Sequence, residues 1–163
     1  MAEKVVKKIT IDYTYDADRK GAKYSFDGGK HHCNFGEFSE IASKHSLGYS
    51  AKKDANTPFD KGSDIEELNC SVKSSKFTLT SEKLADTFEE SKKVYFERVH
   101  SNKWLFVAQI DDTLWMYFMN KSEFSEFLDN WASLNERGVI RGKATSAKML
   151  LWLDELVDRK NRV

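Results

Sequence analysis

Residues 103–119 read KWLFVAQIDDTLWMYFM, two nearly unbroken apolar runs joined by Asp111-Asp112. Both have the length of a strand, and neither alternates cleanly between apolar and polar positions. A strand that is apolar on both sides has to be covered on both faces. The rest of the chain must therefore supply layers above and below a central sheet. Trp104 to Phe118 also offer aromatic surface of the kind on which nucleobases stack. Their near-continuous hydrophobicity assigns them to the core instead.

Elements for those layers are legible on either side. Upstream, VVKKITIDYTY over 5–15 alternates Ile9, Ile11, Tyr13 and Tyr15 against Thr10, Asp12 and Thr14, which predicts a half-buried strand. A turn at DADRKG and the segment AKYSF complete an N-terminal β-hairpin over 5–27. Asn34 with Glu37 three residues on predicts a capped helix carrying Phe38, Ile41, Ala42 and His45 on one face and ending near Gly48. Residues 49–63 have no periodicity and are read as a long loop. The stretch NCSVKSSKFTLT predicts a strand with Leu68, Cys70 and Val72 toward one side and Asn69, Ser71 and Lys73 toward the other. A helix with Phe88, Tyr95 and Val99 on one stripe follows it. After the apolar pair, Asn120 and Glu123 open a helix with Phe124, Phe127, Leu128, Trp131 and Leu134 in register. NERGVIRGKA holds at most a short strand, and Thr145 caps a last helix bearing Met149, Trp152, Leu153, Leu156 and Val157. The expected class is α/β, one domain over 1–163 with a mixed central sheet flanked by helices. Its core spans 34–120 and its C-terminal helices 121–160.

Charge and cysteine content narrow the function classes. The chain carries 26 basic and 26 acidic residues, a net charge of zero, where dedicated non-specific nucleic-acid binders are usually basic. Two cysteines do not make a disulfide framework, no apolar run approaches the roughly 20 residues of a membrane span, and the start lacks a signal-peptide pattern. A cytoplasmic protein with no membrane partner is expected. HHC at 31–33 lacks any accompanying C-x-x-C or H-x-x-x-H pair, so no structural zinc is expected. Cys33 with a histidine is a still weaker thiol-protease pair, because nothing orients either residue.

The stretch that carries chemistry is GSDIEELNCSVKSS, residues 62–75, in which Lys73 follows Asp64 by nine positions. Metal-dependent phosphodiester hydrolysis needs carboxylates for Mg²⁺, an aligned water and a cation at the phosphate. A carboxylate and a lysine two positions apart on a strand point into one cleft. With its Gly-x-Asp lead-in, apolar strand and Val-Lys-Ser ending, this stretch resembles the PD-(D/E)xK nuclease superfamily, whose fold is restriction-endonuclease-like. The resemblance implies Asp64 as a Mg²⁺ ligand, Lys73 as the cation facing water or phosphate, and Glu37 or Glu40 as a helical metal carboxylate. The chain departs from the pattern at Ser71, which stands where the second acidic residue belongs; Glu67 is the nearest substitute.

The implied activity is that of a small Mg²⁺-dependent DNA endonuclease or a relative, with DNA or a nucleoprotein complex as partner. The alternative is a catalytically silent binding protein of nuclease shape, such as a phage- or plasmid-borne inhibitor of a CRISPR nuclease or another host defence nucleoprotein. Ser71, small size and zero net charge favour the alternative, and the Asp64–Lys73 spacing favours the enzyme. Lys92, Lys93, Arg98 and Lys103, with Arg137, Arg141 and Lys143, form two basic patches able to grip phosphate or a protein partner. The ordinary reading of both patches is charged, solvated surface.

Overall fold

A computed structural model describes residues 2–49, 64–74, 76–142 and 147–161. In chain order the elements are β1 (Glu3–Lys8), β2 (Thr14–Tyr15), β3 (Tyr24–Ser25), α1 (Phe35–Ser46), a 3₁₀ turn at Glu66–Leu68, β4 (Cys70–Ser74), α2 (Phe88–Arg98), β5 (Lys103–Ile110), β6 (Thr113–Met119), α3 (Lys121–Trp131), β7 (Ala132–Leu134), β8 (Ile140–Gly142) and α4 (Ala147–Asn161). The main sheet has the order β1-β6-β5-β4. β6 runs antiparallel to both β1 and β5, whereas β4 runs parallel to β5. The described residues thus form an α/β fold with a mixed four-stranded main sheet and four helices. Among the described residues no helix is long and apolar enough to cross a membrane.

The two apolar runs are β5 and β6, at the centre of the sheet and covered on both sides. Asp111 takes the left-handed backbone conformation, φ 53°, that a tight reversal between strands requires. On one face Leu105, Val107, Leu114, Met116 and Phe118 pack with Phe38 and Ala42 of α1, and Tyr13, Tyr24 and Phe26 close that layer. On the other, Trp104, Phe106, Tyr117 and Met119 meet Tyr95 of α2, Phe124, Phe127 and Leu128 of α3, and Met149, Leu153 and Leu156 of α4. Trp104 and Phe124 stack with ring centroids 5.1 Å apart. The aromatic run is core, not an exposed platform.

Helix starts follow the capping chemistry. Asn120 accepts from Glu123 N at 2.9 Å while the Glu123 carboxylate accepts from Asn120 N at 2.8 Å, a complete capping box. Asn34 accepts from Glu37 N at 3.0 Å, and α2 starts behind Thr87, whose hydroxyl accepts from Glu90 N at 3.2 Å.

Three boundaries differ from expectation, each for a reason of partner supply. The expected strand over 5–15 stops at Lys8, because β6 begins opposite it at Thr113; the last bond, Ile9 N to Asp112 O, lies in the turn. β2 resumes only at Thr14, pairing with β3. The strand read through NCSVKSSKFTLT ends at Ser74; Lys76 is left-handed at φ 61°, and Phe77–Leu79 pair with β8 instead. Leu134 leaves the α3 stripe because the chain becomes extended at Ala132 and joins β8 as β7. Residues 50–63, Lys143 and Thr145 lie outside the described residues.

Candidate functional site: a cleft beside strand β4

A tight reversal brings the two halves of the motif together. Ile65 and Cys70 exchange both backbone hydrogen bonds, at 3.0 and 3.1 Å, around the 3₁₀ turn, with Asn69 left-handed at φ 49°. Asp64 is thereby folded back alongside β4, and its Oδ2 accepts from Val72 N at 2.7 Å. Alternation along β4 does the rest. Cys70 and Val72 pack toward α1, while Ser71 and Lys73 face the α2 side, next to Trp104 and Phe106 on β5.

There Asp64, Ser71 and Lys73 line one cleft of about 410 Å³. Its second wall is the end of α2 and the residues after it: Tyr95, Arg98, Val99 and His100. The third wall is Leu79 to Glu82, with Leu84. This wall is fixed by Leu79 N donating to Ile140 O at 2.9 Å and Gly142 N to Phe77 O at 2.7 Å. Gly142 has no room for a side chain: a Cβ there would overlap the Phe77 ring.

Several polar groups of the cleft are committed to the fold. Ser71 is 7% exposed and its hydroxyl bonds that of Ser101 at 2.6 Å. The Tyr95 hydroxyl accepts from Trp104 Nε1 at 2.8 Å. Burial pushes the Tyr95 phenol up to about 12; the Trp104 N–H opposes the rise and the charge of Asp64 adds to it. On the opposite side of β4, burial pushes the Cys70 thiol up to about 12, with Lys103 opposing. Arg98 stands in the last turn of α2, where a cation also complements the helix dipole, and enters no ion pair among the described residues.

The remaining sequence-derived residues are dispersed. Glu37 and Glu40 belong to α1, which packs on the other face of the sheet; Glu40 lies 3.9 Å from Lys44. Neither lines the cleft, nor does Glu67, which is exposed on the 3₁₀ turn. Lys92 is drawn to Asp129 at 2.6 Å, with Glu89 at 3.8 Å. Lys93 is exposed on α2 and Lys103 reaches over Phe118 at 5.6 Å, on the α1 side of the sheet. Arg137 and Arg141 are exposed around β8. At the HHC stretch, His31 Nδ1 sits 2.6 Å from Asp27 Oδ2, and Cys33 pairs through its backbone with Tyr24.

Sequence reasoning missed Glu82, Tyr95 and Ser101. Glu82 lies in a stretch without periodicity, Tyr95 reads as core, and a hydroxyl that bonds another hydroxyl thirty residues away has no local signature.

Mg²⁺ is held by charged oxygens in a near-octahedral shell. The described lining offers two carboxylates, Asp64 and Glu82, with one Asp64 oxygen occupied by Val72 N. Among the described residues no three His, Cys, Asp or Glu side chains stand together as a metal group. What the described lining offers is two cations, two carboxylates, hydroxyls and an apolar floor. Comparison with family models, with curated proteins and with solved structures returns no match.

Proposed function

We propose that this chain is a nucleic-acid-handling protein, a relative of the metal-dependent DNA endonucleases that uses their cleft to bind a phosphate-bearing strand without cutting it. One observation carries the reading: Asp64, Ser71 and Lys73 line a single cleft, and Arg98 joins them there. Two cations facing one hollow can hold a phosphate by charge-assisted hydrogen bonds. The strand–helix–parallel strand unit β4-α2-β5 suits the restriction-endonuclease-like arrangement suggested by the sequence. Binding without cutting is favoured by the donor set, in which Asp64 supports the backbone and Ser71 is tied to Ser101. Occupation of a defence nucleoprotein's nucleic acid, as by a phage- or plasmid-borne inhibitor, requires no more than this.

The second reading, a Mg²⁺-dependent endonuclease, rests on the same convergence of Asp64 and Lys73. A single experiment separates the two. Fluorescence anisotropy with labelled single- and double-stranded DNA in chelator should show binding that Lys73→Ala and Arg98→Ala each weaken by about tenfold or more, in line with about 1.5–3 kcal/mol for a charged hydrogen bond. Plasmid nicking in Mg²⁺ or Mn²⁺, abolished by Asp64→Asn, would establish the enzyme instead. Absence of both binding and nicking overturns both readings.

A further inference from the structure

The cleft has a size and a charge pattern that bear on which part of a nucleic acid enters it. At about 410 Å³ it lies at the low end of the roughly 300–1,000 Å³ typical of small-ligand pockets. Among the described residues its charged lining is balanced, with Lys73 and Arg98 against Asp64 and Glu82. A duplex carries one negative charge per roughly 1.7 Å of axis and is held by extended tracks of Lys and Arg. Among the described residues, Lys92 is ion-paired to Asp129 and Lys103 lies on the opposite face of the sheet, so neither extends the pair of cations in the cleft. Between the charges, Leu84 and Val99 offer apolar surface against which a sugar or base can lie.

From this we infer that the cleft is a site for one nucleotide unit, a strand end or an extruded nucleotide with its phosphate, and not a groove for the backbone of continuous duplex. The inference rests on the nucleic-acid reading given above and narrows it. One phosphate is met by Lys73 and Arg98, the sugar and base lie over the Leu84–Val99 floor, and the two carboxylates repel the flanking phosphates of a longer track. Few counterions are released on binding. For a single strand the salt slope is about 0.7 per neutralised phosphate, so the one phosphate held here gives about 0.7.

The test is anisotropy with a fluorescent 5′-phosphorylated single-stranded decanucleotide, competed by deoxycytidine monophosphate or by a closed dumbbell duplex with no ends. The expected result is displacement by the mononucleotide, none by the dumbbell at equal nucleotide concentration, and a salt slope of magnitude below about 2. Ser81→Trp, on the exposed rim, should fill the cleft and weaken mononucleotide competition about tenfold with an unchanged melting temperature. If the decanucleotide binds in a manner dependent on Lys73 and Arg98 while the mononucleotide fails to compete, or the dumbbell competes equally well, the single-nucleotide site is overturned and the nucleic-acid reading stands. If no nucleic acid binds at all, both fall together.

Discussion

The sheet ends in two edge strands, β1 and β4, and they are protected in different ways. β1 exposes Glu3, Val6, Lys7 and Lys8 and carries Lys4, whose ammonium reaches Asp154 at 2.7 Å and lies 4.2 Å above the Trp115 ring. Charged side chains on an edge discourage another strand from pairing with it. β4 buries Cys70, Ser71 and Ser74 and has little charge to display. Its edge is covered by its own chain: the Ile65–Cys70 reversal pairs one residue, and the Asp64 carboxylate takes the N–H of Val72. An aspartate at a nuclease-like spacing is here a backbone partner as well as a cleft residue. Loss of function on changing it therefore does not by itself identify a metal ligand.

Substitutions at Asp64, Ser71 and Lys4 break or sharpen the contrast. The largest effect is expected at Asp64. Asp64→Ala leaves the partly buried Val72 N–H without its acceptor and should lower unfolding free energy by about 1–3 kcal/mol in urea titration. Asp64→Asn keeps a carbonyl acceptor and should recover most of that stability, so equal losses for Ala and Asn would show that charge, not the hydrogen bond, closes the edge.

Next is the hydroxyl pair behind the cleft. Ser71→Ala removes the bond between the two hydroxyls and should cost about 1 kcal/mol, whereas the double variant Ser71→Ala/Ser101→Ala should be less destabilised than the sum of the singles. Strict additivity in that cycle would mean that the two hydroxyls do not support each other.

The smallest effect is expected on β1. Lys4→Ala removes a partly exposed ion pair and a cation over Trp115, and should shift stability by about 0.5 kcal/mol, less at 1 M salt. A loss as large as that of Asp64→Ala would erase the distinction between an edge defended by solvated charge and one closed by a specific bond.

What the sequence disclosed divides along a physical line. β5 and β6, the Asp111 turn, the Asn120 capping box and the sidedness of Ser71 and Lys73 follow from periodicity and local hydrogen bonding, and the structure has them. Elements whose fate depends on a distant partner were not legible. Nothing near Ile9 announces that β6 begins opposite Lys8, and nothing near Phe77 announces a berth against β8. The same holds in the site. The Asp64–Lys73 convergence is a short-range reversal, while the pairing of Ser71 with Ser101 and the arrival of Glu82 and His100 are set by packing across tens of residues. Glu37 and Glu40 suggested metal ligation by their helix, but α1 lies on the far face of the sheet, and its position there is a tertiary fact.

The pairing of β1 with β6 also sets a timetable for synthesis. Glu3 sits opposite Phe118, so during synthesis β1 has no partner in this sheet until β6 has emerged. β4, α2, β5 and β6 are closer neighbours in the chain and can assemble while β1 waits. During that wait its lysines keep an unpaired, extended segment in water and away from other nascent chains. β1 is thus expected to be the last of the four strands to dock and the first to be lost on partial unfolding, which leaves the cleft beside β4 the older part of this sheet.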